Sequence, residues 1–141
     1  MNTNTLTLLL RFAGLLHLGL LSAGLLMPGV VGLRGHLAKV PPFVRRLFWV
    51  YYAFIALCLV SFGTLTFTLA GTLATGGVLA RAVCLFLAAF WTLRLVAATF
   101  VFDLSPYLTN TFRRLGYHAT NVVFVALPVI YLLAAWKGGV R

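Results

Sequence analysis

The chain holds no glutamate and one aspartate, Asp103, against eleven lysines and arginines. Paired-carboxylate acid–base chemistry needs two acids in one site, and carboxylate metal cages need more, so a single aspartate excludes both. Cysteine is nearly as scarce. Cys58 and Cys84 stand alone in apolar runs, with no CxxC or CxxCH spacing to suggest a redox motif, a zinc ribbon or a covalently attached haem. They read as small packing residues. The phosphate-binding and hydrolase signatures built on GxxxxGKS, GxGxxG, HExxH and GxSxG are also missing, and no serine or threonine has a base at readable spacing. No motif for an enzyme is visible.

Charge of either sign is scarce. Only 9% of the residues are charged and 62% are hydrophobic, whereas a soluble domain carries roughly 25% charged residues. A chain of 141 residues cannot bury that much apolar surface in a core of its own. The bilayer must solvate the rest. The reading is therefore an all-α integral membrane protein. Its net charge of +10 is an orientation and lipid signal rather than a nucleic-acid signal, because the basic residues flank apolar runs and form no stripe on a soluble face.

Four runs approach the ~20 apolar residues needed to cross the hydrocarbon layer. They fall near residues 6–31, 47–69, 78–102 and 117–136, leaving no soluble domain, so the chain forms a single transmembrane domain. The first run has the small residues of a signal peptide but lacks a basic n-region and is long enough to span, so it is read as a helix. Short connections favour an up-and-down four-helix bundle. Arg34, Lys39, Arg45 and Arg46 lie in the first connection and Arg113 and Arg114 in the third, which puts those connections in the cytoplasm and both termini on the non-cytoplasmic side. Trp49, Tyr51 and Tyr52 then mark the inner interface, and Tyr117 and Trp136 bracket the fourth span. The plasma membrane of a bacterium is the expected location. A weak tandem repeat of two helices is suggested by FVRRLFW and TFRRLGY, each placed before an outgoing span.

Three arginines lie inside apolar runs. Arg11 and Arg81 sit at similar shallow depths on spans that enter from the same side. Each can snorkel to the headgroups, and if the first and third spans adjoin, the two share an outward-facing pocket for an anion. Arg94 lies ~12 Å from the inner end of its span, too deep for easy snorkelling, and is expected to face the bundle. Its expected partners are the Phe124 carbonyl freed by Pro128, the hydroxyls of Ser61, Thr64 or Thr92, the ring of Trp91, or a ligand. Asp103 is on the opposite helical face and does not neutralise it. Asp103, Arg113, Arg114, His118 and Asn121 form an expected polar cluster at the inner face.

His17, near mid-span, is the one histidine placed to hold a b-type haem, with Ala13, Gly14 and Gly24 on or beside its face. His118 lies ~20 Å shallower and His36 in a loop, so a bis-histidine site within one chain is not expected. No cofactor is predicted, and a hydrogen-bonded histidine inside the bundle is the simpler fate. The expected function is a small membrane-complex subunit or binding protein whose Arg94, Arg81, Arg11 and His17 hold an anionic or carbonyl-bearing ligand, such as a lipid or quinone, or a partner. Electron transfer through haem on His17 and transport by an oligomer are the alternatives. Anionic lipids, other membrane subunits or a second copy are the expected partners.

Overall fold

The computed structural model describes residues 2–102 and 104–137. Asp103 therefore lies outside the described residues, as does Arg141. The described chain is helical almost throughout: α1 (Thr3–Val30), α2 (Leu33–Ala38), α3 (Pro42–Thr68), α4 (Ala70–Thr75), α5 (Val78–Phe100) and α6 (Thr111–Lys137), with a 3₁₀ turn at Ser105–Tyr107 and no strand among the described residues. Helices α1, α3, α5 and α6 are the four long and apolar enough to cross a membrane. The protein is an all-helical integral membrane protein.

Two spanning helices begin earlier than their apolar runs. α3 starts at Pro42 rather than at 47, and α6 at Thr111 rather than at 117. Proline has its φ preset for a first helical turn and lacks only an N–H that would be orphaned there, and arginine is a good helix former. Arg45, Arg46, Arg113 and Arg114 therefore sit on the first turns of spanning helices rather than in loops. The Gly/Thr-rich segment AGTLATGG, expected as a loop, contains α4. Its Ala70, Leu73 and Ala74 are buried and share one core with Leu6 and Leu10 of α1, so this short helix plugs one end of the bundle.

Packing places α1 and α6 in the middle. α1 lies along α3, α6 and α4, and α6 lies along α5 as well. Consecutive spans α3 and α5, expected as neighbours, make few close backbone contacts. They meet through aromatic rings instead: Phe62 sits edge-on to Phe90 at 5.2 Å and to Phe86 at 6.0 Å between centroids.

The α1–α3 crossing is close. A methyl group built at Gly14 would lie 2.8 Å from Phe67 Cβ and 2.9 Å from the Gly63 carbonyl, and one at Gly63 would lie 2.9 Å from His17 Cβ. Small residues let helix backbones approach closely where lipid gives no hydrophobic drive to associate. Farther along, Pro28 inside α1 has no N–H to offer the carbonyl one turn earlier, that of Gly24. The Tyr52 hydroxyl of α3 donates to that oxygen, repairing the ladder and tying the two helices at a second level. The pairs Gly14–Phe67 and Gly24–Tyr52 run in opposite chain directions, so α1 and α3 are antiparallel.

Candidate functional site

Each spanning helix contributes one polar or amphipathic side chain to a cluster at the bundle centre. On α1 the buried positions Leu6, Leu10, Ala13, Gly14, His17 and Leu20 repeat at helical spacing and point His17 inward. On α5 the same stripe runs Ala80, Cys84, Leu87, Ala88 and Trp91. Thr66 comes from α3 and Tyr131 from α6. His17 and Thr66 are the buried polar residues among those described, each with 0% exposure.

The hydrogen bonds fix the state of His17. Its Nδ1 lies 2.7 Å from the Ala13 carbonyl, and a carbonyl only accepts, so Nδ1 carries the proton and Nε2 presents a lone pair. The Trp91 indole N–H donates to that lone pair at 3.2 Å, with the two rings edge to face and 5.1 Å between centroids. Thr66 Oγ1 and Tyr131 Oη share a hydrogen bond of 2.7 Å, and the Tyr131 ring lies 6.3 Å from that of His17. No buried side-chain nitrogen or oxygen among the described residues lacks a partner. Such a cluster is fully satisfied, and leaving any member without its partner in a dry core is costly.

This geometry bears on the haem alternative. A haem iron binds an imidazole nitrogen lone pair, and the one lone pair of His17 already accepts from Trp91. The residues around His17 do not fit an axial ligand. Among the described residues no three His, Cys, Asp or Glu side chains gather to hold a metal ion.

The arginines lie elsewhere. Arg11 is one residue past Leu10, off the buried stripe of α1, and Arg81 is one past Ala80, off that of α5. Both are exposed on the bundle surface. Close backbone contacts between α1 and α5 are few, and no described contact brings the two guanidiniums into one pocket. Arg94, expected to face the bundle, is also on the surface, at the margin of the buried stripe three residues beyond Trp91. Its guanidinium stands over two rings, 4.8 Å from the centroid of Phe124 on α6 and 5.5 Å from that of Phe102. The Phe124 carbonyl is one of several partners expected for Arg94; the structure places the Phe124 ring against it. Phe124 in turn stacks on Trp91 at 5.9 Å, so Arg94 rests on the aromatic roof of the central cluster.

No protein-family model, curated protein or solved structure matches the chain. Residue chemistry alone must carry the reading.

At the opposite side of the α5–α6 connection, Arg113 Nη1 donates to the Tyr107 carbonyl and to Thr109 Oγ1, both at 3.3 Å. These bonds hold the 3₁₀ turn against the first turn of α6. Arg114 and His118 are exposed, with the His118 ring edge-on to Tyr117 at 5.4 Å, and Asn121 is half-buried. The expected cluster thus divides into a loop clasp at Arg113 and side chains facing outward, while its aspartate falls outside the described residues. The central quartet was the part least visible in the sequence. Its signal was His17 on an apolar stripe, but nothing in the spacing names Trp91, Thr66 or Tyr131 as its companions.

Proposed function

We propose that the protein is a small multi-pass membrane binding protein or complex subunit, with Arg94 as the residue that holds an anionic or carbonyl-bearing group of a lipid, a quinone or a neighbouring subunit. The observation that carries this reading is the seating of Arg94 on Phe124 and Phe102. The guanidinium carbon stands over both rings, and this cation–π attraction provides no lone pair for the five N–H donors. A cation held over aromatics at the surface of a spanning helix keeps donors for a partner. In a low-dielectric surround such a charge-assisted bond is strong, and the bidentate fork suits phosphate or carboxylate.

Arg11 and Arg81, outward-facing on α1 and α5, are placed in the same reading as contacts for headgroups or a partner at the other face. In the same reading, the basic first turns of α3 and α6 favour a cytoplasmic position for the connections α1–α3 and α5–α6, with both termini outside, in a bacterial plasma membrane. His17 supports the site from below as part of the core that seats Trp91 and Phe124. The satisfied central cluster disfavours a polar path through one chain.

Native mass spectrometry of the protein in lipid nanodiscs tests the proposal. A discrete small molecule or lipid retained by the wild type should fall about tenfold in occupancy in Arg94→Gln, a loss near 1.4 kcal/mol, and be partly kept in Arg94→Lys, which retains charge but not the fork. Equal retention in all three would return Arg94 to a packing role.

A further inference from the structure

A second basic site lies far along the chain from Arg94, where α1 ends and α3 begins. Gly32 adopts a left-handed backbone, φ 61°, that lets the chain turn sharply out of α1 into α2. Leu37 anchors α2 by its buried side chain. Pro41 and Pro42 then launch α3 back across the membrane. The result is that α2 and the start of α3 face each other across a cavity of about 420 Å³, lined by Arg34, Leu37, Ala38, Arg45 and Trp49.

The lining is chemically one-sided. Arg34 and Ala38 are one turn apart on α2, and Arg45 and Trp49 are one turn apart on α3, so each helix brings one arginine to the cavity beside an apolar lining residue. No carboxylate among the described residues lines the cavity, and the chain has only one to offer. Two guanidiniums turned toward one space repel unless an anion lies between them. The aromatic wall is also braced. Trp49 is edge-on to Phe48 and to Tyr52, each at 5.7 Å, and Tyr52 is tied by its hydroxyl to α1 at Gly24. A tryptophan at this level is suited to the glycerol and carbonyl zone of a bilayer, immediately beneath phosphate.

We propose that this cavity binds a phosphate-type oxyanion at the membrane surface, with Arg34 and Arg45 donating to its oxygens from two sides and Trp49 packing beneath it. Phosphatidylglycerol headgroups and free inorganic phosphate share that chemistry. The site uses residues of α2 and α3 alone and does not depend on the role of Arg94.

The full-length protein is reconstituted in nanodiscs of mixed phosphatidylglycerol and phosphatidylcholine, and the phosphatidylglycerol that remains bound on release is measured by native mass spectrometry. Arg34→Gln and Arg45→Gln should each lower retention about tenfold, because each loses a charge-assisted hydrogen bond to the oxyanion on top of the generic surface attraction that Arg46 shares, and the double variant should lower it further. Arg46→Gln is the control, because it removes the same charge from the same turn of α3 but does not line the cavity. A parallel calorimetric titration of inorganic phosphate into detergent-solubilised protein separates the sources. Selective loss of the lipid without phosphate binding assigns a headgroup, and saturable phosphate binding that both cavity variants abolish assigns the free ion; either supports the site. Retention that falls as much in Arg46→Gln as in the cavity variants, or in none of them, overturns it. Circular dichroism melts and the charge-keeping Arg34→Lys and Arg45→Lys variants separate a lost site from a lost fold.

Discussion

Gly14→Ala will destabilise the membrane-spanning core although it adds a single methyl group. The added Cβ would meet Phe67 Cβ at 2.8 Å and two backbone atoms, the Gly63 carbonyl oxygen and the Phe67 amide nitrogen, at 2.9 Å. A flexible side chain can move aside, but backbone cannot, so α1 and α3 must separate or rotate. Overpacking of this kind typically costs about 1–3 kcal/mol, and here it also strains the neighbouring contact between Gly63 and His17. Gly63→Ala should behave likewise. Gly19 lies on the same helix as Gly14 with no atom near the position of its missing Cβ. Gly19→Ala should therefore stabilise α1 slightly, by up to about 1 kcal/mol, through helix propensity alone. Reversible unfolding in mixed micelles compares the three directly. If Gly14→Ala and Gly19→Ala unfold together, the close crossing of α1 and α3 is wrong.

His17→Phe and Trp91→Phe make the second large effect, and their combination is more informative than either alone. Removing the imidazole leaves the Trp91 indole N–H buried without an acceptor, and removing the indole leaves the Nε2 lone pair without a donor. Each orphaned group costs about 1–3 kcal/mol in an apolar core. When both are replaced, neither is orphaned, so the double variant should be less destabilised than the sum. The coupling should be near the ~0.6 kcal/mol average, with a ceiling of ~1.7, measured for hydrogen bonds between membrane helices. Thr66→Val with Tyr131→Phe forms an independent cycle across α3 and α6. Strict additivity in both cycles would show that the central contacts carry no energy.

The sequence made some of these features readable and hid others for physical reasons. The four spans are legible because a bilayer imposes a minimum apolar length, and local composition reports it directly. The consequence of Pro28 is legible in principle, since a proline always strips the carbonyl four residues back of its donor, but the donor that replaces it, Tyr52, belongs to another helix. Pairs across helices have no such local signature. Gly14 and Gly63 look like any glycines until their backbones are brought together, and His17 announces an inward polar group without naming Trp91. α4 escaped because a glycine- and threonine-rich segment has weak helix propensity, and packing of Ala70, Leu73 and Ala74 on α1 outweighs it.

Arg94 shows the limit most clearly. Its depth in the apolar run signals a special arginine, and its helical phase places it at the edge of the buried stripe, where facing inward and facing lipid differ by a fraction of a turn. Burial cost argues for the inward side. The rings of Phe124 and Phe102 offer a third solution, in which an arginine on the surface is sheltered over aromatic rings and keeps donors for a partner. Arg11 differs in this respect, because it falls well off the buried stripe of α1.

The most direct test of ligand binding beside Arg94 is photo-crosslinking in native membranes. A photoactivatable residue is placed at Leu93, next to Arg94 and 70% exposed, or at Leu57 on the outer face of α3, 58% exposed. The account predicts one discrete adduct at position 93 that disappears when Arg94→Gln is added, and only diffuse bulk-lipid labelling at position 57. An adduct pattern at 93 that matches that at 57 and is indifferent to Arg94→Gln would contradict it.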